Sequence, residues 1–519
     1  MSWTGWLLFI LIVQVIHFLG TWKLYIKAGR QAWEAAVPVY NAVVLMKIIN
    51  RPWWWTILLF IPIVNLIMFP VVWVETLRSF GRNSNADTFL VLITLGLYIF
   101  YINYTPEVTH IKDRSLKPRT SGGEWVSSIL FAVVAATIVH TYFMQPFTIP
   151  TSSLEKTLLV GDFLFVSKYH YGARAPMTPI SFPMVHDTIP VAGVKSYVKD
   201  PQIPYFRFPG FQKIKRNDIV VFNWPVDTLI DINPASMRGS VQKPIDKKSN
   251  YVKRCVGLPG DSLSIKNGRV FIDGEPLQLN DRAKIQFGYQ AATKKPLNIS
   301  FIKERYDITD IYPINRDGTV YQFHATDEAI EKFKNYPDVL QVAATNETDN
   351  GYDPSVFPSD AQYSFNNNFF GPIYIPEAGK TVAINSQSIP FYKRIIETYE
   401  GSEMGIDNTI TQNGTQVLLN GQALTEYTFK MDYYWLMGDN RNNSQDARTW
   451  GFVPFNHVVG KPVFIWMSYD SNTGSVRWDR LFTTVGGSGK PVSYLIYFVI
   501  AVIGWFAFNF FRKRRKSAK

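Results

Sequence analysis

The sequence predicts a mainly β domain held outside a membrane and joined to α-helical membrane segments. Three observations carry that prediction. Apolar stretches lie near both ends of the chain, each close to the roughly 20 residues that a helix needs to cross a bilayer. The middle of the chain is polar and divides into short apolar runs bounded by Gly, Pro, Asn and Asp, the pattern of strands and turns. A mean hydropathy of −0.03, in a chain that is 47% hydrophobic, averages these two unlike parts.

Taken in order, residues 3–22 form the first predicted span. No Lys or Arg precedes them and no small-residue cleavage site follows, so the stretch does not read as a cleavable signal peptide. Residues 32–52 (AWEAAVPVYNAVVLMKIINRP) are amphipathic and broken by Pro38, which points to an interfacial or re-entrant element. Residues 53–74 make a second span, opened by three Trp of the kind that sit at headgroup level and interrupted by Pro62, Asn65 and Pro70. Residues 88–104 make a third span, 124–146 an anchoring fourth and 492–511 a fifth. Residues 1–123 are thus expected to be a multi-span membrane module.

The outer part is expected to be β-rich, with its own domain at 147–279 and 430–488. Residues 163–169 (FLFVSKY), 218–224 (DIVVFNW) and 251–256 are apolar strand-like runs, as are 433–437 and 462–468. Residues 262–272 alternate around Asn267-Gly268, a strong hairpin signal. Residues 280–429 read as an inserted region of unknown role, with one helix-like patch at 327–336. Two phrases, GRVFIDGEPLQL (268–279) and TQVLLNGQALTE (415–426), look alike; the likeness is read as recurring β-turn chemistry.

The net charge of +12 invites a nucleic-acid reading, but its distribution argues against one. Six basic residues fall in the tail at 512–519 (RKRRKSAK), and four, against one acidic, fall at 112–119 (KDRSLKPR). Such clusters beside membrane segments mark the cytoplasmic side. The fourth span then runs outward, the β domain lies on the far face, and the fifth span returns the chain to a cytoplasmic tail. Arg78 and Arg82 fall in an outer loop on this topology, against the charge rule. The single Cys255 excludes an internal disulfide. No histidine spacing suits a metal, so no metal and no other cofactor is expected.

Four clusters in the outer domain carry chemistry: 149–162 (IPTSSLEKTLLVGD), 214–225 (IKRNDIVVFNWP), 251–261 (YVKRCVGLPGD) and 437–454 (MGDNRNNSQDARTWGFVP). A serine hydroxyl is a weak nucleophile unless a neighbouring base takes its proton. A lysine serves as that base when burial pushes its pKa toward neutrality. In this order, behind an outward-running span, the clusters resemble type I signal peptidase, a membrane-bound serine endopeptidase, over roughly residues 125–280 and 430–470. The resemblance implies Ser153 as nucleophile, Lys253 as general base, and Thr151 with the Ser153 N–H as oxyanion hole. It implies Ser444 as the residue that orients the lysine. Asp439, Asp446 and Arg448 are expected to support the site through ion pairs and turns, with Arg254 as the partner of Asp439.

The family usually has Met just after the nucleophile and Pro three residues after it; here Leu154 and Lys156 stand there. The change creates Ser153-Leu-Glu-Lys156, the S-x-x-K pattern of penicillin-binding proteins and class A β-lactamases, in which a helix returns the lysine to the serine. No K-T-G or S-D-N accompanies it, and Pro150 with FLFVSKY favours a turn into a strand. A non-catalytic, membrane-anchored binding module is the other alternative; the presence of both Ser153 and Lys253 argues against it.

The family accepts small side chains at the first and third positions before the cut, the Ala-x-Ala rule. The matching positions here, Phe147, Ile149, Pro150, Leu154 and Leu158 with Tyr251 and Val252 on the facing strand, are expected to form shallow apolar pockets. The substrate would lie extended, as an added strand. The expected partners are preproteins bearing signal peptides, the lipid bilayer and the secretion channel. The expected place is a bacterial inner membrane, with the catalytic domain on its periplasmic face.

Overall fold

The structure, a computed structural model, describes residues 3–227, 242–345, 351–471 and 473–517. The end of the predicted basic tail, at 518–519, lies outside them. The chain divides into two compact units: residues 1–143 with 174–208, and residues 144–173 with 209–519.

In the first unit, α1 (Trp3–Lys27) and α7 (Ser121–Ile138) are long apolar helices. At 1.5 Å per residue the 25 residues of α1 span about 37 Å, enough for a bilayer. Thr120 caps α7, its hydroxyl accepting from the Gly123 N–H at 3.1 Å. Between them lie α2 (Tyr40–Ile48), α3 (Trp55–Leu58), α4 (Val64–Ser79), α5 (Asn85–Ile93) and α6 (Tyr98–Tyr104). Among the described residues, three helical stretches are long and apolar enough to cross a membrane: Trp3–Lys27, Ser121–Phe143 and Leu495–Arg512.

Neither the second nor the third predicted span is a single continuous helix. Residues 53–74 break between α3 and α4 at Pro62 and Ile63, the latter at a positive φ of 71°. A straight helix of that length would hold its ends roughly 33 Å apart. Instead, Arg51 donates to Glu75 at 2.9 Å, Arg114 pairs with the same carboxylate, and the Ile111 N–H donates to the Ser79 carbonyl at 2.9 Å. The stretch folds back on itself, and Arg78, 3.6 Å from Glu75, joins the basic residues from which the predicted topology had separated it. Residues 88–104 likewise break into α5 and α6 at Leu95 and Gly96, and the Tyr98 hydroxyl donates to Asp87 at 2.9 Å. Gly96 permits the fold: at φ 88°, a Cβ there would lie 2.7 Å from the Trp73 ring.

The breaks follow a repetition that periodicity alone hides. VPVYN (37–41) and IPIVN (61–65) share the form x-Pro-x-x-Asn. In both, the β-branched residue after Pro has positive φ (Val39 φ 66°, Ile63 φ 71°) and a helix starts immediately after it. Proline removes a helical hydrogen bond, and a residue at positive φ resets the chain direction.

The second unit is built on a nine-stranded sheet whose main path runs through β1 (Met144–Thr148), β2 (Asp162–Ser167), β3 (Ile219–Asn223), β4 (Asn250–Gly257), β5 (Tyr433–Met437), β6 (Val453–Pro454) and β7 (Val458–Asp470). Their order is β1-β2-β7-β3-β4-β5-β6, antiparallel throughout. Every residue of β3 and β5 is buried, as short continuous apolar runs between turns predict. The Asn267-Gly268 hairpin forms between Ser262–Lys266 and Arg269–Ile272.

The region from 280 to 429 has two differently packed parts. Its first part is a lobe with a four-stranded sheet (Phe287–Thr293, Ile311–Pro313, Val320–Ala325, Val339–Ala344), two helices (Ile299–Tyr306, Asp327–Phe333) and its own core. Its later part buries Phe370, Ile373, Ile375, Tyr392 and Phe429 in one cluster with Val256, Trp435 and Met437 of the main sheet. The two look-alike phrases share more than a turn. Each ends a three-strand meander, turned by Asp273-Gly274 in one and Asn420-Gly421 in the other, all four residues at positive φ.

Candidate active site

Residues 149–162 are the connection between β1 and β2. Its two ends are tied together: the Ile149 N–H donates to the Asp162 carbonyl and the Gly161 N–H to the Ile149 carbonyl, both at 2.9 Å. Ile149, Leu154 and Leu158 are buried in a cluster with Leu164, Val166, Ile219 and Val221. That apolar seat presses the loop onto the sheet. A short 3-10 turn over Ser152–Leu154 then turns Ser153 inward.

Beneath it, β4 supplies Lys253, whose Nζ lies 2.7 Å from Ser153 Oγ. Ser153 is 7% exposed and Lys253 3%, so water has little access to the pair. Burial pushes the Lys253 ammonium down to about 8, with the Asp446 and Asp439 carboxylates pulling upward and Arg448 downward. Desolvation disfavours the charged form, and here it outweighs both carboxylates. The lysine also lies 5.5 Å from the Tyr251 ring centroid.

A buried ionic frame surrounds the pair. Arg254 donates to Asp439 through Nε at 2.7 Å and Nη2 at 2.6 Å, and the Thr157 hydroxyl donates to the same carboxylate at 2.5 Å. Asp446 accepts from Arg448 Nε and Nη2, both at 2.9 Å, and from the Gly438 N–H at 3.0 Å. Burial alone would raise these carboxyls; the guanidiniums hold both below the usual carboxylate range. The loop after β5 closes over Ser153, the Asn440 N–H donating to the Ser153 carbonyl at 3.1 Å. Gly438 is required there, since a Cβ would lie 2.6 Å from that carbonyl and 2.2 Å from Ser444 Oγ.

The remaining expected residues fall as follows. Thr151 and Pro150 are exposed beside Ser153. Ser444 is next to Gly438 and the Ser153 carbonyl, but its buried hydroxyl makes no hydrogen bond, to Lys253 or to any other group. Of the expected pocket residues, Ile149, Leu154 and Leu158 are core, while Phe147, Tyr251 and Val252 stay partly exposed. Tyr251 stacks on Trp224 with centroids 5.2 Å apart.

Lys156 does not approach Ser153. It is left-handed at φ 71°, and its Nζ donates to Asp307 of the 280–345 lobe at 2.6 Å. No helix connects Ser153 to it, because the chain leaves the 3-10 turn at Glu155 in an extended conformation. The S-x-x-K geometry is absent. Sequence reasoning missed this lobe as part of the site. Gln286 donates to the Glu155 carbonyl at 3.2 Å, its N–H donates to the Asp439 carbonyl at 2.8 Å, and its own carbonyl accepts from the Arg441 N–H at 2.9 Å. Glu155, next to the nucleophile, has its carboxyl pushed up to about 7 by burial. Among the described residues no cluster of His, Cys, Asp or Glu suits a metal ion.

Comparison with known proteins gives this geometry a family. Residues 122–322 and 374–467, more than half of the chain, match the family described as "Signal peptidase, peptidase S26". The match takes in much of the region read from sequence as an insertion. Residues 33–113 match a separate "Family of unknown function (DUF5684)". The chain is 25% identical to the protein named "Signal peptidase I" of Haemophilus influenzae, over 71% of this chain and 78% of that one. It is 26% identical to the protein of that name from Buchnera aphidicola, over 65% and 73% of the two chains, and 22% identical to that of Helicobacter pylori, over 71% and 93%. The chain belongs to the signal peptidase family, peptidase S26, and is a type I signal peptidase anchored by apolar helices.

Proposed function

We propose that this signal peptidase cuts preproteins with Ser153 as nucleophile and neutral Lys253 as general base. The observation that carries the reading is the buried 2.7 Å contact between Lys253 Nζ and Ser153 Oγ. A lysine held near 8 is deprotonated in an appreciable fraction of molecules at neutral pH. It takes the Ser153 proton as Oγ attacks the scissile carbonyl, then returns it to the leaving amine. Water, activated by the same amine, hydrolyses the acyl-enzyme. The Thr151 hydroxyl and the Ser153 N–H are the donors assigned to the oxyanion; one such donor is typically worth about 3 kcal/mol of barrier. Ser444, next to the Ser153 carbonyl, is assigned as a positioning residue. Asp439 with Arg254 and Asp446 with Arg448 fix the frame.

Cleavage after small residues, of the Ala-x-Ala kind, fits a floor of buried Ile149, Leu154 and Leu158 with Phe147, Tyr251, Val252 and Pro150 at its rim. The chain is assigned to a bacterial inner membrane with α1, α7 and the helix Leu495–Ser517 crossing it. The clusters at 112–119 and 512–519 lie in the cytoplasm and the catalytic sheet on the periplasmic face. Folding back of the second and third predicted spans leaves this orientation unchanged, because two crossings are lost together. Residues 1–123 are the natural contact for a secretion channel. The deciding experiment is cleavage of a preprotein by the detergent-solubilised full chain beside Ser153→Ala, with the cut bond mapped. Intact cleavage by the variant overturns the reading, and copurification in mild detergent tests the channel contact.

A further inference from the structure

The excursion from Arg174 to Phe208 has no part in the chemistry described above. It is an irregular hairpin, its two sides bridged at Arg174↔Arg207, Ser181↔Tyr197 and Thr188↔Lys195. It packs with the membrane helices of the first unit. Trp6, near the start of α1, donates its indole N–H to the Gln202 carbonyl at 3.1 Å. Tyr142, beyond the end of α7, meets Phe208 edge-on with centroids 6.0 Å apart. One hairpin thus gathers the beginning of α1 and the end of α7, which places it at one membrane surface. That surface is the one opposite the Lys112–Arg119 loop, which precedes α7.

Its exposed side chains are wrong for water. Ile180, Phe182, Met184, Val194 and Val198 are 41–56% exposed, and Val191 at the tip is fully exposed. The tip itself, IPVAGV (189–194), carries no charge. Part of its backbone is paired within the tip: the Ile189 N–H donates to the Val194 carbonyl at 2.8 Å, the Ala192 N–H to the Pro190 carbonyl at 2.9 Å, and the Gly193 N–H to the Ile189 carbonyl at 3.1 Å. At its base Lys195 neutralises Asp187, with Nζ 2.8 Å from the carboxylate. Apolar side chains outward, backbone groups paired inward and charges cancelled behind the tip are what lipid contact demands. Monomeric surfaces otherwise seldom keep such patches.

We propose that the 174–208 hairpin inserts its 189–194 tip into the acyl region of the leaflet at which α7 ends. It is a third, non-helical contact with the bilayer beside the crossing helices. The inference rests on α1 and α7 being membrane-spanning but not on the catalytic reading. The chain's one cysteine, Cys255, is fully buried, so a Val191→Cys variant accepts an environment-sensitive fluorophore at the tip alone. In the full chain, with Ser153→Ala added, reconstituted in phosphatidylethanolamine–phosphatidylglycerol vesicles, the probe should emit to the blue of its value in water. It should be quenched by lipids spin-labelled high on the acyl chain and escape quenching by aqueous iodide. Aqueous emission with full iodide quenching overturns the proposal. So does a blue shift that appears only when preprotein is added, because the tip would then be a substrate contact. A Val191→Asp/Val194→Asp variant should lose cleavage of a vesicle-embedded preprotein while keeping that of a soluble peptide. Equal loss on both substrates overturns the proposal from the other side.

Discussion

The stretch carrying Ser153 is supported on two sides by unlike structures. On the core side stand Lys253, Arg254, Asp439, Asp446 and Arg448, all buried, with Arg254 paired to Asp439, Arg448 to Asp446, and Lys253 on the Ser153 hydroxyl. On the lobe side stand Gln286, Lys284 and Asp307, which reach Glu155, Thr157 and Lys156 through backbone-directed hydrogen bonds and one ion pair whose carboxylate is 76% exposed. Buried charges without partners are costly, so the core side tolerates little change. Hydrogen bonds near water exchange readily for bonds to solvent. The core side is therefore assigned the chemistry and the lobe side its alignment.

The largest effects should fall on the core side. Lys253→Ala and Ser153→Ala should each lower kcat for preprotein cleavage roughly 10³-fold or more, as loss of a base and its nucleophile does when they act as a unit. Their double variant should be no worse than either alone. Lys156→Gln should retain most of the activity in the same assay. The reverse ranking would exchange the two lysines and with them the roles of the two sides.

Next comes the frame. Arg254→Ala strands the Asp439 carboxylate at zero exposure, and breaking such a buried pair costs about 3–5 kcal/mol. Thermal unfolding of the purified domain in detergent should show a clear drop in Tm, against almost none for Asp307→Asn. Equal drops would erase the contrast drawn above.

A smaller effect, but a more diagnostic one, concerns pH. Because burial lowers the Lys253 pKa to about 8, the neutral fraction that the proposed mechanism needs falls steadily below that pH. The rate should then rise about tenfold per unit toward pH 8 and level off above it. Asp446 raises the Lys253 pKa, so Asp446→Asn should move the limb to lower pH in whatever fraction of the variant folds. A limb that stays in place would mean that another group titrates, and Glu155, held near 7, is the first to test.

What was legible in the sequence followed from local rules. The strands at 218–224, 251–256 and 433–437 and the Asn267-Gly268 hairpin could be read because apolar runs and turn residues act over a few positions. The closeness of Ser153 to Lys253 and of Arg254 to Asp439 could be expected because motif order stood in for three-dimensional proximity. The break within 53–74 was not legible because hydropathy averages over a window. It does not register that Pro62 and an Ile63 at positive φ turn the chain, nor that Glu75 draws Arg51 and Arg114 together. The share of the 280–345 lobe in the site was invisible for a related reason. Gln286 and Asp307 act through backbone position and a long-range ion pair, for which no residue type is diagnostic.

Lys156 is where the two sides meet most delicately, and there the smallest effect should be found. The family usually carries Pro at this position, yet the backbone here is at φ 71°, far from the −65° that proline imposes. The replacement is thus a change of chain path as much as of side chain, and the lobe holds that path through Asp307. An ion pair with one partner in solvent is worth about 1 kcal/mol or less, while a non-glycine residue in the left-handed region costs roughly 1–2 kcal/mol. Lys156→Gly removes the first and relieves the second, so its stability should lie within about 1 kcal/mol of the parent. Lys156→Gln loses the pair without relief and should be the less stable of the two. Lys156→Gln, Asp307→Asn and their double variant should share one modest fall in kcat/KM, and the exchange Lys156→Asp/Asp307→Lys should recover part of it. Additive losses without recovery would show that the two residues act separately, leaving Gln286 as the lobe's main hold on the nucleophile.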